Sequence, residues 1–200
     1  MDVVADLPLA GEGPADLDPL ADGILMAHQV AWLSDQSPLK LMEKGRRTGI
    51  TWCEALDDTI IAASAGSAGG DNVFYIGDTR EKGLEFCRTC AHFARFVAAA
   101  VLPIEEFVFE DRRDDGESKH IAAYRIRFAS GFQIVGLSSR PANIRGLQGI
   151  VVIDEAAFHR DVMEVLAAVN ALLIWGGRIR IISTHNGDDN PFNLLIQDSR

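Results

Sequence analysis

The sequence predicts an α/β protein, a mostly parallel sheet flanked by helices. Three observations carry this. Strand-like and helix-like segments alternate along most of the chain. Two strand segments, in "NVFYIG" and "GIVVIDEAA", are apolar throughout, as strands covered on both faces are. The last two strands start about 30 residues apart, room for a helix that carries the chain back to a parallel neighbour.

The elements follow in order. Residues 1–20 are rich in Pro, Gly, Asp and Ala and read as a tail without fixed structure. "DGILMAHQVAWLSD" places Ile24, Met26, Val30 and Leu33 at helical spacing. "LKLMEK" is a short strand, and "TWCEALDDTIIAASA" a helix. "SAGSAGG" is a loop of small residues, "NVFYIG" a strand and "TREKGLEFCRTCAHFARFVAAAV" a long helix. "EDRRDDGESKH" (110–120) reads as a charged surface turn. "AAYRIRFA" and "FQIVGLS" flank Ser130-Gly131 as a hairpin. A helix over "DVMEVLAAVNALLIW", a strand over "RIRIIST" and a helix start at "PFNLLIQDSR" complete the chain. No internal repeat is present.

Two hundred residues suffice for one domain with a sizeable core. No apolar run reaches the ~18 residues of a membrane helix. Three cysteines give no disulfide framework, which points to a reducing compartment, the cytoplasm. The net charge is −10. Seven acids and no Lys or Arg lie in residues 1–39, which leaves −3 for the rest. A basic surface on the folded part is therefore compatible with the acidic total.

Three segments carry chemistry. In "KGRRTGIT" (Lys44, Gly45, Arg46, Arg47, Thr48, Gly49, Ile50, Thr51) a strand runs through a tight glycine turn into a helix. Such a helix N-terminus binds phosphate through its N–H groups and dipole. Thr51 stands where a hydroxyl ligates Mg²⁺ in the G-x-x-x-x-G-K-[ST] loop. The pattern fails twice, because position 44 is Lys instead of Gly and position 50 is Ile instead of Lys. In "IVVIDEAAF" an apolar strand ends in Asp154 and Glu155, at the edge of an α/β sheet where ligands bind. Asp154 suits Mg²⁺, and Glu155 suits a base that orients and deprotonates a water. In "IISTHNG" a third strand runs into Ser183, Thr184 and Asn186, groups able to sense a γ-phosphate or that water. Read alone, each segment is also compatible with a plain turn or a solvated strand end.

Together these segments resemble the ATPase domain of phage large terminase subunits, the Mu-like prophage branch above all. "HQVAWLSDQSPLKLMEKGRRTGIT" resembles that family's adenine-side glutamine segment and deviant phosphate loop. "NVFYIGDTREKGLEF" resembles the strand and helix that follow. "SSRPANIRGLQGIVVIDEAAFHRD" resembles its Arg-Gly segment and Walker B strand, and "RIRIISTHNGDDNPFNLL" its coupling motif. The resemblance covers residues 24 to 198. It implies a P-loop NTPase fold of the RecA-like, ASCE type over residues 21–200. It also implies ATP and Mg²⁺ as ligands and hydrolysis that packages double-stranded DNA into a prohead.

The same resemblance assigns residues. Lys44 would be a Walker lysine displaced to the loop's start; a flexible ammonium is a point charge that can reach phosphate from either end. Arg46, in preference to Arg47, would be an internal arginine finger. Gln29 would read adenine, Arg145 and Gly146 would lie near nucleotide or DNA, and Thr184 and Asn186 would couple hydrolysis to DNA movement. Implied partners are DNA, a small terminase subunit, a portal and a ring of like subunits, in the host cytoplasm and away from membrane. Full terminases continue into a nuclease domain; this sequence ends at Arg200, so no DNA cleavage is expected from it.

Two other readings stay open. One is a helicase-like DNA-dependent ATPase. The other is a non-hydrolysing assembly module whose loop is degenerate at Ile50, against which the buried acidic pair speaks. The C-x-x-C at Cys87–Cys90 lacks the second ligand pair that zinc needs and falls on a helix, so it reads as packing. Cys53 reads the same way, His159 reads as a helix-start residue, and His185 falls within the coupling segment, where it could touch nucleotide.

Overall fold

The computed structural model describes residues 23–97, 104–112, 118–138, 147–160, 162–164, 167, 173 and 176–199. The acidic segment 1–20, Arg145 and Gly146, and most of the helix expected over 161–175 lie outside the described residues. The strands are β1 (Leu39–Glu43), β2 (Val73–Gly77), β3 (Glu105–Arg112), β4 (Ser118–Arg127), β5 (Gln133–Ser138), β6 (Ile150–Asp154) and β7 (Arg178–Ser183). The helices are α1 (Ala27–Ser34), α2 (Ile50–Ala63), α3 (Arg80–Val97) and α4 (Pro191–Asp198).

One seven-stranded sheet runs in the order β1-β7-β6-β2-β5-β4-β3. The five strands from β1 to β5 in that order are parallel, and β4 and β3 add an antiparallel edge. The parallel strands alternate between two buried faces, as a period of two requires. Val73, Tyr75, Ile150, Val152 and Ile182 pack with α1, α2 and α3 on one side. Phe74, Ile76, Val151, Ile153, Ile179 and Ile181 pack with Phe192 and Ile196 of α4 on the other. Each of the Val, Ile and Phe side chains among them contributes about 1.5–3 kcal/mol by leaving water, so the two-sided burial is what makes the strands apolar throughout. The α/β expectation is met.

Helix α3 is amphipathic. Gly83, Phe86, Cys87, Cys90, Phe93 and Ala94 form its buried stripe at three- and four-residue spacing. It presses close to β5 because a Cβ on Gly136 would stand 2.6 Å from Gly83 O. One expectation is corrected. The charged stretch 110–120 is not all turn: β3 runs to Arg112 and β4 starts at Ser118, paired without a break from Glu105↔Arg125 to Arg112↔Ser118. The register sets Asp111 opposite Lys119. Among the described residues no helix is long and apolar enough to cross a membrane.

Under α2 lies a buried ionic cluster that no motif announces. Arg180 of β7 donates to Glu54 (2.5 Å) and Asp58 (2.9 Å) through Nη1, and pairs with Asp57 (2.9 Å) through Nη2. Trp32 Nε1 donates to the other Glu54 oxygen at 2.5 Å. Lys40, opposite Arg180 in the ladder, donates to Trp32 O at 2.9 Å and lies over its ring. The cluster ties α1, β1, α2 and β7 together directly behind the phosphate-type loop.

Candidate active site

The carboxyl ends of β1, β7 and β6 lie side by side, so the three chemical segments meet. Lys44 continues the β1–β7 ladder, its N–H donating to Ser183 O at 2.9 Å. Its ammonium reaches across the end of β7 and donates to Glu155 Oε1 at 2.7 Å, with Asp154 Oδ1 at 4.0 Å. The second Glu155 oxygen accepts from Thr184 N (3.2 Å) and Thr184 Oγ1 (3.1 Å). Glu155 is thus the knot between the lysine loop and the residue that follows β7.

Glu155 holds that place in a left-handed backbone conformation, φ 51° and ψ 43°. For a residue other than glycine this costs about 1–3 kcal/mol, offset by the hydrogen bonds its carboxylate accepts. The turn behind it is pinned. Ala157 N donates to Ser183 Oγ at 3.0 Å, and the Asn186 and Asn190 amides both donate to Ala157 O at 3.0 Å. His159, buried, is 2.8 Å from Asp154 O through Nε2, which as the donor carries the proton.

Asp154 is 5% exposed. Its Oδ2 accepts from Thr51 Oγ1 (3.0 Å) and Tyr75 OH (2.9 Å), and its Oδ1 from Glu155 N (3.0 Å). The two neighbouring acids are driven apart. Burial pushes the Asp154 carboxyl up, against the pull of Lys44. Burial acts upward on Glu155 too, but Lys44 and Thr184 outweigh it and hold its carboxyl below the ordinary value. Burial, and then the Asp154 charge, pushes the Tyr75 phenol well up, so it stays a donor.

The phosphate-type loop ends at Gly49, the N-cap of α2, at φ 71°. Only glycine takes this conformation freely, and a Cβ there would stand 2.5 Å from Gln29 Nε2. Gln29, 3% exposed, grips the loop backbone: Nε2 donates to Gly49 O (3.1 Å) and, more weakly, to Thr48 O (3.4 Å), and Oε1 accepts from Met26 N (2.9 Å). Ile50 is 1% exposed and packs with Trp32, Cys53 and Ile182. A lysine at position 50 would aim its amine into this apolar core. Lys44, at the other end of the loop, has its ammonium beside Asp154 and Glu155.

A cleft of about 430 Å³ opens over these groups. Lys44, Arg47, Thr48, Gly49, Ile50, Thr51, Asp154 and Glu155 line it. Several expected residues stand elsewhere. Arg46 is exposed and does not line the cleft, whereas Arg47 does, its own φ of 60° turning the chain between them. Gly45, Gln29, Thr184 and Asn186 do not line the cleft either; the last three act on its walls through the bonds above. The far wall was not anticipated. Trp52 and Tyr75 face the cleft, with Lys82, Glu85, Phe86 and Thr89 of α3. Those four α3 residues share a helix face, a spacing visible in the sequence, but nothing in the sequence says what that face overlooks.

Thr51 and Asp154 suit Mg²⁺. They bring a hydroxyl and a carboxylate, both hard oxygen donors, within 3.0 Å of each other, and Mg²⁺ takes few protein ligands, keeping waters and substrate phosphates for the rest.

No protein-family model matches the chain. It is 52% identical over 179 residues to Mu-like prophage FluMu protein gp28 of Haemophilus influenzae, covering 90% of this chain and 34% of that protein. It is 46% identical over 202 residues to the probable terminase, large subunit gp28, of Escherichia phage Mu, covering 100% of this chain and 35% of that protein. The chain therefore spans about a third of the length of these curated relatives. Among solved structures it resembles the large terminase ATPase domain of Thermus phage P74-26 (TM-score 0.54, 21% identity, 80% of this chain and 64% of that one). It also resembles the HK97 bacteriophage large terminase (TM-score 0.51, 13% identity, 96% of this chain and 38% of that one). The chain is a relative of the gp28 proteins of Mu-like phages, one of them a probable terminase large subunit, and it has the fold of large terminase ATPase domains.

Proposed function

We propose that this chain binds and hydrolyses ATP, and that hydrolysis drives double-stranded DNA into a phage prohead. The observation that carries the reading is the meeting of Lys44, Thr51, Asp154 and Glu155 in one cleft at the ends of three parallel strands. The relatives' names support the packaging role. ATP phosphates lie along the loop from Lys44 to Thr51, met by the α2 N-terminus, Lys44 and Arg47. Thr51 and Asp154 would hold Mg²⁺, which would supply positive charge to offset that of the bound phosphates.

Glu155, ionised at neutral pH, orients a water and takes its proton as the water oxygen bonds to the γ-phosphorus. The bond from that phosphorus to the β–γ bridging oxygen breaks, and ADP leaves. Phosphate competes with Glu155 for the Lys44 ammonium, so substrate entry loosens the Lys44–Glu155 pair and leaves Thr184 as the carboxylate's partner. Thr184 is thereby the first group outside the cleft to respond, which suits a coupling role. Catalysis is mainly positioning and charge stabilisation. The wider assembly of small terminase subunit, portal and a ring of like chains in the host cytoplasm belongs to the same proposal. DNA cleavage is not assigned to these residues.

The test is Mg²⁺-dependent ATP hydrolysis by the purified chain beside Lys44→Ala and Glu155→Ala. The reading expects turnover by the parent, binding without turnover by Glu155→Ala, and loss of both by Lys44→Ala. A parent that neither binds nor hydrolyses ATP, alone or with DNA and the rest of the terminase, favours a non-hydrolysing assembly module.

A further inference from the structure

We propose that Tyr75 is a positioning residue for Asp154, holding the carboxylate in the orientation that receives Mg²⁺. This rests on the ATPase reading above. Tyr75 lies on β2, opposite Val152 of β6 and two positions below the level of Asp154. Its side chain points to the α2–α3 side, and its length carries the hydroxyl up to the strand end, 2.9 Å from Asp154 Oδ2. The ring is 1% exposed and stacks on Phe86 of α3, with centroids 3.9 Å apart and planes 11° from parallel. Held between sheet and helix, the phenol has one direction in which to donate.

The need for such a group follows from the bonding of Asp154. A carboxylate this buried must be met by donors or it loses its fixed orientation and its charge. Of its three donors, Thr51 is itself a proposed metal ligand, so its hydroxyl is drawn toward the ion. The Glu155 N–H fixes only Oδ1. Tyr75 fixes Oδ2 from outside the ligand set. Phenylalanine would fill the same apolar space beside Phe86 without this bond; a tyrosine hydroxyl in a core signals a partner.

The experiment measures binding of a fluorescent, non-hydrolysable ATP analogue with Mg²⁺ and with EDTA, for the parent, Tyr75→Phe, Asp154→Asn and the double variant. The parent binds more tightly with Mg²⁺. Outer-shell partners of metal ligands typically carry about 10–100-fold in metal affinity, so Tyr75→Phe is expected to lose about tenfold of the Mg²⁺-dependent gain while its affinity in EDTA stays within about twofold. In the Asp154→Asn background the same change adds no further loss. Phe86→Leu, which keeps the hydroxyl but removes the stack, loses part of the gain. An unchanged Mg²⁺ gain in Tyr75→Phe overturns the proposal. So does equal weakening in Mg²⁺ and EDTA, which marks a packing role. If the parent itself gains nothing from Mg²⁺, the ATPase reading fails, and this proposal with it.

Discussion

Lys44 Nζ and Glu155 Oε1 are 2.7 Å apart although 111 positions separate the residues in the chain. The pair joins the two halves of the candidate site, loop and acidic strand, and Thr184 closes the chain of contacts from the third strand. Its energetics are measurable apart from turnover. Lys44→Ala, Glu155→Gln and the double variant, unfolded in urea, should be non-additive by about 1 kcal/mol, toward the lower part of the usual range for contacting residues because Glu155 is partly solvated. Additive effects would mean that the contact does not hold in solution.

Ile50 occupies the position where the usual loop has its lysine. Because it is core, Ile50→Lys should not rescue ATP binding by Lys44→Ala. It should cost about 3 kcal/mol or more, since a large apolar side chain is lost and an amine is placed in an apolar site. Circular dichroism melts and nucleotide titration of the double variant check this. Recovered binding would show that the loop accepts its lysine in either place.

Gln29 grips Gly49 and Thr48 through its amide instead of lining the cleft. Gln29→Ala should therefore raise KM for ATP and GTP alike, by about tenfold, the weight of one or two hydrogen bonds. The ratio of the two KM values should not move. A selective loss of ATP over GTP would show that Gln29 reads adenine.

Arg47 lines the cleft and Arg46 does not. Arg47→Ala is expected to lower kcat by about a hundredfold, as removal of one transition-state donor does. Arg46→Ala should change kcat little. The reverse ranking in steady-state hydrolysis would identify Arg46 as the finger and require the loop to rotate on binding.

The cluster under α2 makes a stability prediction. Arg180→Met leaves Glu54 and Asp58 buried without their cation and should cost about 3–5 kcal/mol. Asp58 is different, because burial, and next the Glu54 charge, push its carboxyl well above its ordinary 3.8. Its Oδ2 has no partner. A raised value means that its stabilising contribution is complete below 3.8 and lost as pH rises through the folded-state value. Asp58→Asn should therefore melt higher than the parent at pH 8, with the gap closing toward pH 4. A constant gap across that range would show that the Asp58 carboxyl titrates alike in the folded and unfolded chain, and that burial does not raise it.

Much of this protein is set by local pattern. The alternation of apolar strands and helices, the glycine before Ile50 and the acidic pair ending "IVVID" each act through neighbouring residues, so they are readable one segment at a time. Burial on both faces forces Val151 to Ile153 to be apolar, and a positive φ with Gln29 packed against the backbone selects glycine at position 49. What the fold alone decided is which strand ends stand together. The order β1-β7-β6 puts Lys44 within reach of Glu155 across Thr184, and β2 beside β6 puts Tyr75 under Asp154. The inward turn at Arg47, the left-handed Glu155, the α3 wall and the Arg180 cluster likewise depend on contacts between distant segments. A sequence states which groups a chain owns; distances between residues 44 and 155, or 54 and 180, exist only once hydrophobic burial has stacked the helices on the sheet and closed the intervening loops.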